Sequence, residues 1–171
     1  MHPKVKELIL RFKQKKAKAI IRWSFASIAV STTAFLLISP FYQLGFNMGD
    51  SLPGYVFLIK KKELPHKGEM VAFYPPKNRF YRHAWFVKII VGTEGDKIRY
   101  DGDKLFINDN YYGVAKSLTR NGEPLAKTEN KTIESHHIFA WSPHKDSYDS
   151  RYKDFNTIPY SSIVGRAIRL F

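Results

Sequence analysis

From Trp23 to Gly49 the chain has no charged side chain, "WSFASIAVSTTAFLLISPFYQLGFNMG", and a basic block precedes it directly. Few features constrain a fold more. As a helix, the apolar core Trp23–Ser39 would be about 25 Å long at ~1.5 Å per residue. A bilayer's hydrocarbon needs ~30 Å, so either residues 19–22 or the 40–46 tail must complete a crossing. Trp23, Phe41 and Tyr42 fall near the two ends, where aromatic rings favour the membrane interface. Residues 1–22 carry eight Lys or Arg against Glu7 alone, a net +7 out of the +13 of the whole chain. A basic arm of that kind could bind nucleic acid, but joined to an apolar run it reads as a cytoplasmic flank. A cleaved signal peptide is disfavoured, because the basic lead is long and no small-x-small site follows the apolar run. The expected organisation is a cytoplasmic segment 1–22, a single transmembrane anchor 23–46 and an extracytoplasmic domain 47–171. No nucleic acid is expected as a partner.

The domain is long enough for its own core. It contains no cysteine, which removes disulfides, thiolate metal sites and thiol nucleophiles. Short runs rich in β-branched and aromatic residues follow one another: residues 55–59, 70–74, 84–92, 97–101, 104–109, 137–142 and 162–171. Pro75–Pro76, residues 92–95, Asp101–Gly102 and residues 108–110 punctuate them, and residues 97–109 read as a hairpin on an Asp-Gly turn. Residues 115–135 read as a polar excursion. The fold class is mainly β, an N-terminal transmembrane helix followed by mostly antiparallel strands.

Four places could carry chemistry. Ser51, in "NMGDSLPGYVFLI", lies eleven residues past Pro40, where the chain would leave a membrane. It is an ordinary turn residue unless a base takes its proton. Lys88 shares a strand face with Phe86 and Ile90, with Val87 and Ile89 opposite, so its ammonium is partly desolvated whichever face is buried. Desolvation lowers a lysine pKa, which a lysine base requires. In "DSYDSRY", Ser147, Asp149 and Arg151 alternate to one side; Asp149 and Arg151 can pair, and Ser147 can orient an amine. His66, His83, His136, His137 and His144 leave a Ser-His-Asp triad or a metal site open in principle, without helical ligand spacing.

In this order and spacing the pieces resemble the type I signal peptidase family. The motifs are Ser51-Leu52-Pro53 after an anchor, then Phe86-Val87-Lys88 with Gly92-Thr93-Glu94-Gly95-Asp96. "DKLFINDNYYG", Ser147-Tyr148-Asp149-Ser150-Arg151-Tyr152 and "IPYSSIVGRA" complete the set. The run from Asn47 to Tyr55 is most similar to TraF-type conjugative-transfer peptidases, as is Ser142 where other members carry Asp. Leu52 replaces the methionine usual in housekeeping enzymes, and Lys153-Asp154-Phe155 replaces an aromatic-Gly pair.

The resemblance implies a Ser/Lys endopeptidase without cofactor or metal. Ser51 would attack the scissile carbonyl and Lys88 would take and return the proton. The Ser51 N–H would help bind the oxyanion. Gly49 stands where some members have a serine donor, so a second donor must be backbone or another group. Ser147 would orient Lys88, with Asp149 and Arg151 supporting that corner. The implied partners are a precursor's leader peptide, the bilayer, and conjugation or secretion machinery, with a pilin as one candidate substrate. The implied location is a bacterial inner membrane with the domain on the periplasmic side. A general housekeeping signal peptidase, and a non-catalytic anchored assembly factor with Ser51 as a turn residue, remain the alternatives.

Overall fold

The computed structural model describes residues 3–46, 51–76 and 85–171, with side chains from residue 15 onward. It comprises two compact units, Met1–Pro40 and Phe41–Phe171.

The first unit is one helix, α1 (Pro3–Ile38). Its segment Lys15–Ile38 is long and apolar enough to cross a membrane. At ~1.5 Å per residue this segment spans about 36 Å. The helix reaches this length through residues 15–22 and not through the 40–46 tail. The helix stops just before Pro40, whose ring and missing N–H cannot continue the ladder. The anchor expected over 23–46 differs at its far end: Tyr42–Phe46 is strand β1, paired antiparallel with β2 (Val56–Lys61). An uncharged aromatic-rich run is ambiguous between the two roles, and the sheet edge won it.

The second unit is built from two antiparallel sheets. The larger has seven strands in the order β1-β2-β11-β3-β4-β9-β10 and the smaller has four, β7-β6-β5-β8. Here β3 is Met70–Phe73, β4 Phe86–Thr93, β5 Lys97–Asp101, β6 Lys104–Ile107 and β7 Asn110–Val114. Lys131–Thr132 is β8, His137–Trp141 β9, Ile158–Pro159 β10 and Ile163–Arg169 β11. The expected β5–β6 hairpin forms, but Asp101 pairs with Lys104, so the central residues are Gly102 and Asp103, with Gly102 in first place at φ 57°. Strand β7 and the two short strands β8 and β10 lack a clear alternation and were not marked by the sequence. Residues 115–130 are mostly irregular, tied down by isolated bridges Leu118↔Pro124 and Lys127↔Tyr152.

Strand β4 is central to the domain. Ile90 faces a core of Val71, Phe73, Ile138, Ala140, Phe155 and Ile158, while Val91 enters a second cluster with Ile98, Leu105, Ile107, Ile133 and Phe139. Adjacent residues can both be buried because successive side chains point to opposite faces of the strand and both faces are covered. Phe155 meets Phe73 and Phe86 edge-on, with centroids at 6.1 and 5.6 Å. This gives the divergent Lys153-Asp154-Phe155 run a packing role that its sequence did not announce.

Candidate active site

Ser51 opens a turn at residues 51–53, between β1 and β2. Leu52 is buried and pins this turn to the domain, and Gly54 at φ +114° provides the left-handed bend that a side chain would resist. The chain then runs into β2, with the Tyr55 N–H donating to the Phe171 carbonyl at 2.6 Å. Ser51 itself is half-buried, and its carbonyl accepts a hydrogen bond from Ser142 Oγ.

Lys88 lies mid-strand in β4, opposite Val71 of β3. Its strand face is the one shared with Phe86 and Ile90, which are packed in the first core cluster, so the side chain is only 1% exposed. Nζ lies 5.8 Å from the centre of the Phe86 ring and donates to Ser147 Oγ at 2.8 Å. Burial is the main cause of a pKa drop from 10.5 to about 8; the Asp149 carboxylate partly opposes the drop, and the Arg151 charge adds to it. A substantial fraction of this amine is therefore neutral near pH 8.

The segment 147–151 surrounds that amine. Asp149 and Arg151 are fully buried and paired side-on, Nε to Oδ1 and Nη2 to Oδ2, both at 2.8 Å. Such a fork uses the fixed geometry of a guanidinium and satisfies two of its five N–H donors. Arg151 Nη2 also reaches the carbonyls of Ser142, His144 and Ser147 at 3.1–3.3 Å, and Nη1 reaches Val114 O. Asp149 Oδ2 accepts the Ser142 N–H at 3.1 Å. One ion pair thus fixes the loop that holds Ser147 against Lys88, and it fixes Ser142 against Ser51. Ser150 fastens the same segment to β9, its Oγ accepting the Ala140 N–H at 3.1 Å. Next to Ser147, Asp146 is clamped by Lys116 and Arg120, which hold its carboxyl near pKa 2.

Of the expected site residues, the structure brings Lys88, Ser147, Asp149 and Arg151 into one hydrogen-bonded cluster and attaches Ser51 to it through Ser142. Gly49 lies outside the described residues, as do His83 and the rest of the 47–50 approach. The described histidine rings are engaged otherwise: the His137 ring is hydrogen-bonded to Ser135 O, His136 packs edge-on to Tyr160, and His144, whose carbonyl accepts from Arg151, has its Nδ1 against the Asp146 N–H. Among the described residues no group of three His, Asp or Glu side chains is placed to hold a metal ion. Sequence reasoning noted Ser142 only as a replacement for Asp. Its bond to the Ser51 carbonyl joins segments 91 residues apart, and no short-range pattern could have signalled it.

The family model for signal peptidase, peptidase S26, matches residues 16–171. No curated protein matches the chain. Among solved structures, a signal peptidase I from Enterococcus faecalis V583 is similar at 20% identity, over 61% of this chain and 97% of that one, with a TM-score of 0.39.

Proposed function

Because the chain belongs to the signal peptidase family, peptidase S26, and is thus a leader-removing serine peptidase, we propose that Ser51 and Lys88 form its catalytic dyad. The observation that carries this is the Lys88 amine, buried in an apolar strand face and held at 2.8 Å by Ser147 Oγ. Burying a lysine charge costs several kcal/mol, and a desolvated amine held by an orienting hydroxyl is the state a lysine base requires.

In this reading neutral Lys88 accepts the Ser51 hydroxyl proton as Oγ attacks the scissile carbonyl. The Ser51 N–H donates to the oxyanion, where a fixed dipole is worth most. Lys88, now an ammonium, protonates the departing amine and leaves an acyl-enzyme on Ser51. It then draws a proton from water to release the acid and regenerate Ser51. Ser147 aims the amine throughout, accepting from Nζ. The Asp149–Arg151 pair keeps Ser147 and Ser142 in place and does not itself transfer protons. The pair does raise the local stakes, because its charges partly cancel at Lys88 and leave desolvation to set the pKa.

The finer reading is a TraF-type enzyme acting on a pilin or another component of a secretion or conjugation apparatus. Ser142 supports it, standing where other members carry Asp and donating to the carbonyl of Ser51. The Asn47 to Tyr55 run supports it in sequence. α1 then serves as a single-pass anchor in a bacterial inner membrane, with the basic N-terminal segment in the cytoplasm and the domain in the periplasm. The test is co-expression of full-length protein with a leader-bearing pilin precursor or leader fusion. Wild type should convert the precursor to its mature form, while Ser51→Ala and Lys88→Ala, present at equal levels, should not. Normal processing by both variants would end the dyad reading.

A further inference from the structure

A cavity of about 410 Å³ lies beside the cluster, walled by Tyr111, Tyr112, Trp141 and Pro143, with Lys145 at its rim and Arg151 at its base. We infer that it binds the mature part of the precursor, taking an acidic side chain next to an apolar or aromatic one. This rests on the peptidase reading above and adds a recognition site to it.

Continuity with the catalytic centre is the first reason. Trp141 and Pro143 flank Ser142, and the Ser142 hydroxyl donates to the Ser51 carbonyl, so the cavity wall begins one residue from a group touching the nucleophile.

The walls are also fixed in advance. Trp141 Nε1 donates to the Tyr112 carbonyl at 2.7 Å, and the two rings meet edge-on with centroids at 5.3 Å. Arg151 is locked by Asp149 and four carbonyls. Binding here therefore orders little that is not already ordered. A volume of this size is in the ordinary range for peptide or ligand pockets, and aromatic walls suit an apolar side chain.

Charge then selects the neighbour. Among the described residues no Asp or Glu lines the cavity. Lys145 is exposed, and among the described residues no carboxylate is paired with it. Lys116, also at the wall, shares the single carboxylate of Asp146 with Arg120, so that group retains a net positive charge. An incoming carboxylate finds two cations within one cavity. Phe46 and Tyr55, the aromatic residues on either side of Ser51 in the sequence, are 71% and 78% exposed, and Phe171, whose carbonyl accepts from the Tyr55 N–H, is 79% exposed. Exposed rings of that kind suit an apolar leader, and the cationic cavity suits the water-soluble portion beyond the cut.

The test uses full-length protein in detergent and precursors sharing one leader, with Glu, Gln or Lys placed in turn at each of the first several mature positions. At one or more of these, wild type should favour Glu over Lys by about two- to fivefold in kcat/KM, the range of an exposed ion pair. Lys145→Gln should bring the ratio closer to one, leaving what Lys116 contributes, and Lys145→Glu should lower it further. Raised salt should shrink the wild-type preference, because the pair is at a rim. An unchanged ratio in Lys145→Glu would overturn the inference while leaving the dyad intact. If wild type cuts none of the precursors, the peptidase reading fails and this site falls with it.

Discussion

Replacing Lys88 by methionine should make the protein more stable at neutral pH, and the gain should disappear as pH rises. Methionine has similar reach and no charge, so the strand face stays filled. The lysine pKa falls from 10.5 to about 8 on folding, and at 1.36 kcal/mol per pKa unit this is about 3 kcal/mol of cost to the folded state. Between pH 8 and 10.5 the unfolded chain binds the proton and the folded chain does not, so the lysine's contribution to stability rises with pH across that window. Below pH 8 the full cost is present; above 10.5 it is gone. Methionine also forfeits the bond to Ser147, which is worth about 1 kcal/mol. The variant should therefore exceed wild type by about 2 kcal/mol at pH 7 and fall below it by about 1 kcal/mol above pH 10.5. Denaturant unfolding of both proteins in the same detergent, from pH 7 to 11, measures this difference with the other lysines cancelling. A gap that stays constant with pH would refute the claim that Lys88 is held in a desolvating site.

Three further outcomes follow from the same geometry. In wild type, kcat/KM for precursor cleavage should rise with pH through an apparent pKa of about 8 and not track the ordinary lysine value, because in the proposed dyad only neutral Lys88 accepts the serine proton. Ser147→Ala should lower kcat about 10- to 100-fold with little change in KM, the effect of ~1–3 kcal/mol from a lost orienting bond, and Ser147→Thr should recover part of it. Asp149→Ala should destabilise the domain by about 3–5 kcal/mol, read as a fall in denaturation midpoint, because Arg151 would remain buried without its counter-ion.

Much of the site was legible because its parts are local. Alternation in β4 put Lys88 with Phe86 and Ile90, and the structure buries that face. The spacing of Asp149 and Arg151 allowed a pair, and the pair is there. The expected hairpin formed, with its turn centred on Gly102 and Asp103. What escaped was non-local. Residues 42–46 look like the end of an apolar span, and only pairing with β2 identifies them as a strand. The placement of Phe155 between Phe73 and Phe86, and the Ser142 link to Ser51, depend on segments far apart in the chain. Strand β7 is read by neither periodicity nor propensity, since Asn110 and Gly113 interrupt it and its partner β6 supplies the ladder.

The most direct measurement asks where the acyl group goes. Full-length protein is mixed with excess activated ester of a leader peptide, quenched in acid, digested and sequenced by mass spectrometry. The acyl group should be found on Ser51, be absent in Ser51→Ala, and form far more slowly in Lys88→Ala. Acylation at another residue, or normal precursor cleavage by Ser51→Ala, would contradict the Ser51–Lys88 dyad.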